Sequence, residues 1–375
     1  IQRLSERFGS LKKRKTLDEM GAGAMHLSAG ALGVPADLIG TVNTDEASIE
    51  KSPYTAIPNP TAADASLSAA ASIAPPVVPQ KSKEEEIDER MAAQAAVFTP
   101  DTEIGKLLKQ HRAAVDEIIR KLSTHPLYKR EEHDDLFCLR FLLSAKNDPA
   151  TAHKNAVMCL DWREENKIDE IAQRLHSVTA ESWTGYDHLQ KFTPMHVTNP
   201  RPDGGCVVYM KMGENDYDGL LGPEKDPSIS EADWMEYQFY SKEWLFMRRD
   251  KISRRTGSLA KNVIVLDMAG LGRKHFTNTR YKKLMTHQAI KKADDMYPQS
   301  LGTLVVIGLP GALTFIFNTI IKPLAPPKVQ DKIQVTSDPP KVFTKLGISI
   351  DDVPTAMGGK NDAWPPVPDA RLTPP

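Results

Sequence analysis

The sequence predicts an α/β protein, with a helical N-terminal unit followed by a domain built on a largely parallel sheet. Two observations carry this. Between about residues 103 and 165, apolar side chains recur at helical spacing. From residue 206 onward, short β-rich runs alternate with helical stretches, which is the pattern of a sheet whose strands are joined by helices. A third feature needs explaining on any fold: from Leu301 to Ile321 no side chain is charged.

In the helical unit, DTEIGKLLKQHRAAVDEIIRKL places Ile104, Leu107, Leu108, Val115, Ile118, Ile119 and Leu122 on one stripe after an Asp/Thr start signal. EHDDLFCLRFLLSAK predicts a second helix. DPATAHKNAVMCLDWREEN predicts a third, with Pro149 in its first turn. A polar helix is expected before them, in KEEEIDERMAAQAA. In the second domain, a Pro/Asp/Gly turn precedes a strand from Cys206 to Met212. A long aromatic-bearing helix follows, from about Glu231 to Arg255. NVIVLD reads as a buried strand closing in Asp267, assigned to a turn or capping role. A polar helix from Tyr281 to Asp295 comes next, then the apolar run, then a short strand in DKIQVT.

The apolar run has about the roughly 20 residues a membrane-spanning helix needs. Gly308-Leu-Pro-Gly311 interrupts it, and Pro310 breaks a continuous helix. TLVVI suits a strand, and ALTFIFNTII suits a helix of about three turns, too short to span. Leu313, Phe315, Ile316, Phe317, Ile320 and Ile321 surround that helix axis. Such a helix is buried, or it meets lipid. A third reading has one face covering an internal apolar ligand and the other touching a bilayer.

The remaining chain sets bounds. Among its 375 residues, 49 acidic and 48 basic side chains leave a formal charge of -1, so no global attraction to nucleic acid is expected. The three cysteines lack CxxC spacing, which argues against a disulfide scaffold or zinc site. No metal is expected. Residues 1–82 read as a disordered Ala/Pro/Ser-rich leader. Within it, Ile1, Leu4, Phe8 and Leu11 precede a Lys12–Lys15 basic cluster. This is either a membrane-surface helix or the end of an upstream helix running into solvated charge. No secretory signal is expected, since no apolar run follows the first charges. The boundaries expected are 83–180 for the helical unit, 181–360 for the α/β domain and 361–375 for a Pro-rich tail.

The order of motifs resembles the Sec14-like, or CRAL-TRIO, lipid-binding family. The family's LLRFLRARKFD-type signature and WR-bearing helix are matched by CLRFLLSAKND and CLDWREENKID. Its D-x-x-G-R-P-V-Y turn and strand resemble NPRPDGGCVVYMK, and its D-x-x-G motif resembles LDMAG from Leu266. YPQSLGTLVVIGLPGALTFIFNTIIKPLAPP stands where the family has YPERLGK, a strand, an N-A-P turn, a gate helix and KPFLDP; VPTAMGG stands for LP-x-x-FGG. The resemblance covers about 83–360. It implies a mixed, largely parallel sheet with helices enclosing an apolar pocket, and a gate helix comprising Pro310, Leu313, Phe315, Ile316, Phe317, Ile320 and Ile321. One lipid monomer would be carried, with no other cofactor, by a cytoplasmic protein that associates peripherally with membranes. The lipid would be phosphatidylinositol or another phospholipid or hydrophobic lipid. The alternative is a lipid-sensing scaffold of the same fold that does not transfer.

In phosphatidylinositol-handling members a basic pair after RFLRA, a Glu after YP and a Lys before PFLDP hold the headgroup. Here those positions fall on Ala145 and Lys146, Gln299, and Lys322. Lys146, Gln299 and Lys322 are therefore the headgroup-binding candidates, although Lys322 also fits a solvated lysine at a helix C-terminus. Tyr209, Tyr237, Tyr240, Trp244 and Phe246 are candidates for the pocket wall, or plain core. An enzyme is not expected. GLPG lacks the GK[ST] ending of a phosphate-binding loop, and no HExxH, GxSxG or paired-carboxylate motif is evident.

Overall fold

The computed structural model describes residues 98–175, 185–198, 201, 205–272, 275, 278–285, 287–309, 330–364 and 369–372. The expected leader helix, and Pro310 through Lys322 with the gate helix, lie outside these residues.

Four helices come first: α1 (Glu103–Leu122), α2 (Asp135–Ser144), α3 (Pro149–Glu165) and α4 (Ile168–Leu175). Each of the first three starts on a side-chain cap that satisfies otherwise unpaired N–H groups. Thr102 accepts from Gly105, Asp134 from Leu136 and Phe137, and Asp148 from Ala150 and Thr151. The predicted stripe of α1 is buried at Ile104, Leu108, Val115, Ile118 and Leu122, against α2 and α3.

The second part holds α5 (Tyr186–Phe192), β1 (Met195–Thr198), β2 (Val207–Lys211), α6 (Tyr217–Leu221), α7 (Glu231–Thr256), β3 (Asn262–Asp267), α8 (Thr279–Met285), α9 (Gln288–Met296), β4 (Leu301–Ile307), β5 (Ile333–Val335) and α10 (Pro339–Lys345). The five strands form one mixed sheet in the order β1-β2-β3-β4-β5. β1 pairs antiparallel with β2, and every other pairing is parallel. The long helix α7 opens on a capping box of Ser230 and Asp233 and ends at Gly257, whose φ is 68°. Asp267 closes β3 by accepting the N–H of Ala269, the turn role expected of it.

Two sequence expectations change. The polar helix expected over Tyr281–Asp295 is two helices, because the His287 ring accepts from the N–H of Ala289 and so caps a second one, α9. Strand β1 carried no turn-and-alternation signal strong enough to single it out.

The sheet has a core on each face. Val208, Met210, Ile264, Leu266, Leu304 and Val306 share a core with α7 and the N-terminal helices. Val207, Tyr209, Val263, Val265, Val305 and Ile307 pack on Phe343, Ile348, Val353 and Met357. The WR pair of α3 joins the helical unit to the first of these cores. Trp162 donates to the Ala289 carbonyl at 3.3 Å and meets Phe239 edge-on. Arg163 forks onto Glu243 of α7, both bonds 3.1 Å, while also reaching Asp169. A bidentate pair with further hydrogen bonds is the geometry in which a buried ion pair repays its desolvation.

Candidate functional site: a cleft between the sheet and a long helix

Helix α7 crosses the first sheet face and leaves a cleft of about 50 Å³. Met195, Val208, Met210 and Ile264 form the sheet wall. Trp234, Tyr237, Gln238, Ser241 and Leu245, spaced at three and four residues along α7, form the helix wall. Tyr281 closes one end, stacked on Tyr217 with centroids 3.6 Å apart. The lining is mostly apolar and aromatic, with a few hydroxyl and amide groups and one lysine, Lys242, the usual make-up of a small-molecule site. A volume of 50 Å³ holds a few water molecules, whereas ligand pockets run to several hundred Å³. A wider groove, about 590 Å³, lies at the other end of the sheet among Glu103, Arg201, Lys261, Thr303 and Lys345. Its ionic lining does not suit an acyl chain.

The C-terminal segment docks on the cleft wall. Ala370–Leu372 forms a short turn against β1. Arg371 is wholly buried and donates to Ser241 at 2.8 Å, to Tyr237 at 3.4 Å and to the Met195 carbonyl at 3.0 Å, all three residues lining the cleft. Its counter-charge is Asp369, 2.6 Å away and equally enclosed. Tyr240 in turn donates to the Arg371 carbonyl. His196 lies 3.8 Å from Asp369 and edge-on to Trp364, and burial pushes its imidazole down to about 4. A Pro-rich composition gave no sign that this segment would carry a buried ion pair.

The pocket-wall candidates separate. Tyr237 lines the cleft. Tyr209, expected there, is turned to the opposite sheet face, because successive residues of β2 alternate and Val208 and Met210 take the cleft side. Tyr240 and Trp244 are buried in the core behind the cleft and do not line it. Phe246 sits farther along α7, packed on Tyr297 at 5.6 Å.

Of the headgroup candidates, Gln299 adopts φ 58° and donates to Ser144 at 3.3 Å, so the YP turn meets the end of α2. Lys146 is exposed just beyond that helix end, at φ 55°. Lys322 lies outside the described residues. Gly308, the first glycine of the interrupted apolar run, has φ 70° directly after β4. The first part of the run is therefore a strand that ends in a left-handed turn, and no described helix is long and apolar enough to cross a membrane.

Nothing in the sequence marked two buried arginines that lie outside the cleft lining. Arg140 lies within the RFL motif of α2, and Arg249 one turn beyond Leu245 on α7; both are buried.

A family model described as the CRAL/TRIO domain matches residues 196–359. The Sec14 cytosolic factor of Schizosaccharomyces pombe is 25% identical over 260 residues, covering 68% of this chain and 84% of that protein. The SEC14 cytosolic factor of Eremothecium gossypii is 24% identical over 275 residues, covering 73% and 82%. Among solved structures, the crystal structure of Sfh5 aligns at 15% identity over 68% of this chain and 83% of its own, with a TM-score of 0.35. Residues 196–359, which hold nearly all of the mixed five-stranded sheet, thus match the CRAL/TRIO domain, and the chain is similar to Sec14 cytosolic factors.

Proposed function

We propose that the chain holds one lipid between the sheet and α7 and exchanges it at membrane surfaces, working in the cytoplasm as its relatives' names describe for them. The observation that carries the reading is the mainly apolar, aromatic-walled cleft, whose lining falls mostly within the matched domain. Carriage of a lipid monomer has a clear physical benefit. Each methylene exposed to water costs roughly 0.8 kcal/mol, so an enclosed apolar slot removes the main barrier to moving a lipid between bilayers. The cleft must widen to admit an amphiphile. We assign that widening to the apolar segment after Gly308, whose side chains from Leu313 to Ile321 suit both a lid and contact with lipid tails. Gln299, Lys146 and Lys322 are assigned to the headgroup, with phosphatidylinositol as the first ligand to test. The bound lipid is the only cofactor proposed.

Transfer of fluorescent phosphatidylinositol and phosphatidylcholine from donor to acceptor vesicles tests the proposal. Protein-dependent transfer, saturable in lipid, is the expected result. Binding without transfer would assign the chain to the lipid-sensing alternative, and neither binding nor transfer would refute the carrier reading.

A further inference from the structure

The lining that α7 gives the cleft ends at Leu245, but the apolar stripe is followed on the same helix face by a buried basic residue outside the lining. The next position on the same face is Arg249, one turn on. This arginine is 2% exposed, and its Nε and Nη2 have no hydrogen-bond acceptor. Its guanidinium carbon lies 5.4 Å from the centre of the Phe246 ring. Arg140 of α2 approaches the same ring at 5.7 Å, and its own Nε is also without an acceptor. Two buried guanidiniums therefore share one aromatic ring.

The carboxylates of this region pair with other arginines, leaving Arg249 without one; Arg140 pairs through Nη2 with Asp250 and Ser253 and keeps only its Nε unmet. Asp250 lies 2.6 Å from Arg254 and 3.4 Å from Arg140. Glu243 is held by the fork of Arg163. Asp134 is bonded by Arg254 and by the N-terminal N–H groups of α2. The sequence from 310 to 329 contains no Asp or Glu. Burial, and then the neighbouring Arg140, push the Arg249 guanidinium down to about 9, so it remains charged at neutral pH. A buried cation with unmet donors is costly, and proteins rarely keep one without a counter-ion.

The place is informative. Phe246 packs on Tyr297, two residues before Gln299. Ser144, the partner of Gln299, stands one helical turn from Arg140 on α2. From Trp234 to Arg249 the helix rises about 22 Å, the order of a phospholipid's length, with an aromatic end and a basic end.

We infer that Arg249 and Arg140 form a phosphate-binding site at the basic end of the cleft, taking the phosphodiester of a phospholipid whose acyl chains run toward Trp234 and Tyr281. The inference rests on the carrier reading and deepens it. The guanidinium fork matches two phosphate oxygens, and its unmet N–H groups are what a phosphate would satisfy. Free inorganic phosphate shares this chemistry.

The test uses the full chain stripped of lipid, as wild type and Arg249→Met. Both are offered vesicles containing equal amounts of phosphatidylcholine and diacylglycerol, and bound lipid is counted by native mass spectrometry. The ratio of phospholipid to diacylglycerol taken up is expected to fall at least about tenfold in the variant, the effect of losing charge-assisted hydrogen bonds. Thermal unfolding of the stripped proteins separates a binding residue from a structural one. Replacing an unpartnered buried cation with Met should leave the midpoint unchanged or raise it, whereas a lowered midpoint would overturn the inference. Inorganic phosphate separates the two sources: a rise in wild-type midpoint lost in the variant, with no phospholipid preference, assigns the site to free phosphate. Arg249→Lys keeps the charge without the fork, should give an intermediate ratio, and serves if the Met variant does not fold. An unchanged lipid ratio with no phosphate protection overturns the site alone. A wild-type protein that takes up neither lipid overturns the carrier reading instead.

Discussion

The buried pair of Asp369 and Arg371 gives the sharpest quantitative prediction. Both side chains are fully enclosed, and Arg371 spans three residues of the cleft wall. Arg371→Met removes the cation and leaves the Asp369 carboxylate buried, still bonded by Tyr186 and by a backbone N–H. Breaking one side of such a pair costs about 3–5 kcal/mol. Asp369→Asn strands the guanidinium and should cost about as much. The double variant leaves no uncompensated charge, so its cost should fall short of the sum by about 2 kcal/mol or more. Urea unfolding of the four proteins measures this cycle directly. Removing the docked segment's anchor should also raise proteolysis near Trp364. Single variants costing less than about 1 kcal/mol each, and adding simply, would match an exposed surface pair. That outcome would refute the docking of the C-terminal segment on the cleft.

The remaining predictions concern two buried histidines, the turn after β4 and the proposed lid. His133 and His196 are both held down to about 4, chiefly by burial. An unfolded imidazole near 6.5 binds protons that the folded one refuses. Stability should therefore fall as pH drops from about 6.5 toward 4, by at most about 3 kcal/mol for each histidine. A flat unfolding midpoint between pH 7 and 5 would contradict this, and His133→Gln should shallow the slope. Gly308→Ala places a Cβ 2.4 Å from Asp267 Oδ1 and 2.7 Å from the Ala269 nitrogen, at a φ of 70°. A loss above about 2 kcal/mol is expected in thermal unfolding; an unperturbed midpoint would mean that the turn after β4 is wrongly placed. Phe317→Asp should slow vesicle transfer severalfold by adding charge to the proposed lid, and unchanged transfer would count against that assignment.

Much of the architecture was legible because local signals agreed with tertiary demand. The α1 stripe, the Ser230 box and Gly257 bounding α7, and the uninterrupted apolar run of β3 each specify an element on their own. The site was less legible. Tyr209 was assigned to the pocket for being aromatic, but strand alternation gave that side to Val208 and Met210. Arg249 reads as one of several basic residues in RRDKISRR; only the packing of α2 against α7 reveals that it is buried without an acceptor. Arg371 gave no signal, since its partners Met195, Tyr237 and Ser241 lie at least 130 residues away in sequence. His287 showed how one side chain with an acceptor nitrogen divides a helix that periodicity alone would carry through.

On the proposed function, the space between the sheet and α7 carries a lipid. Native mass spectrometry of the purified chain, followed by solvent extraction and lipid identification, tests it most directly. One amphiphile per protein, with a phosphate-bearing headgroup, is the expected result. A protein that emerges empty and takes up no labelled lipid from vesicles would contradict it.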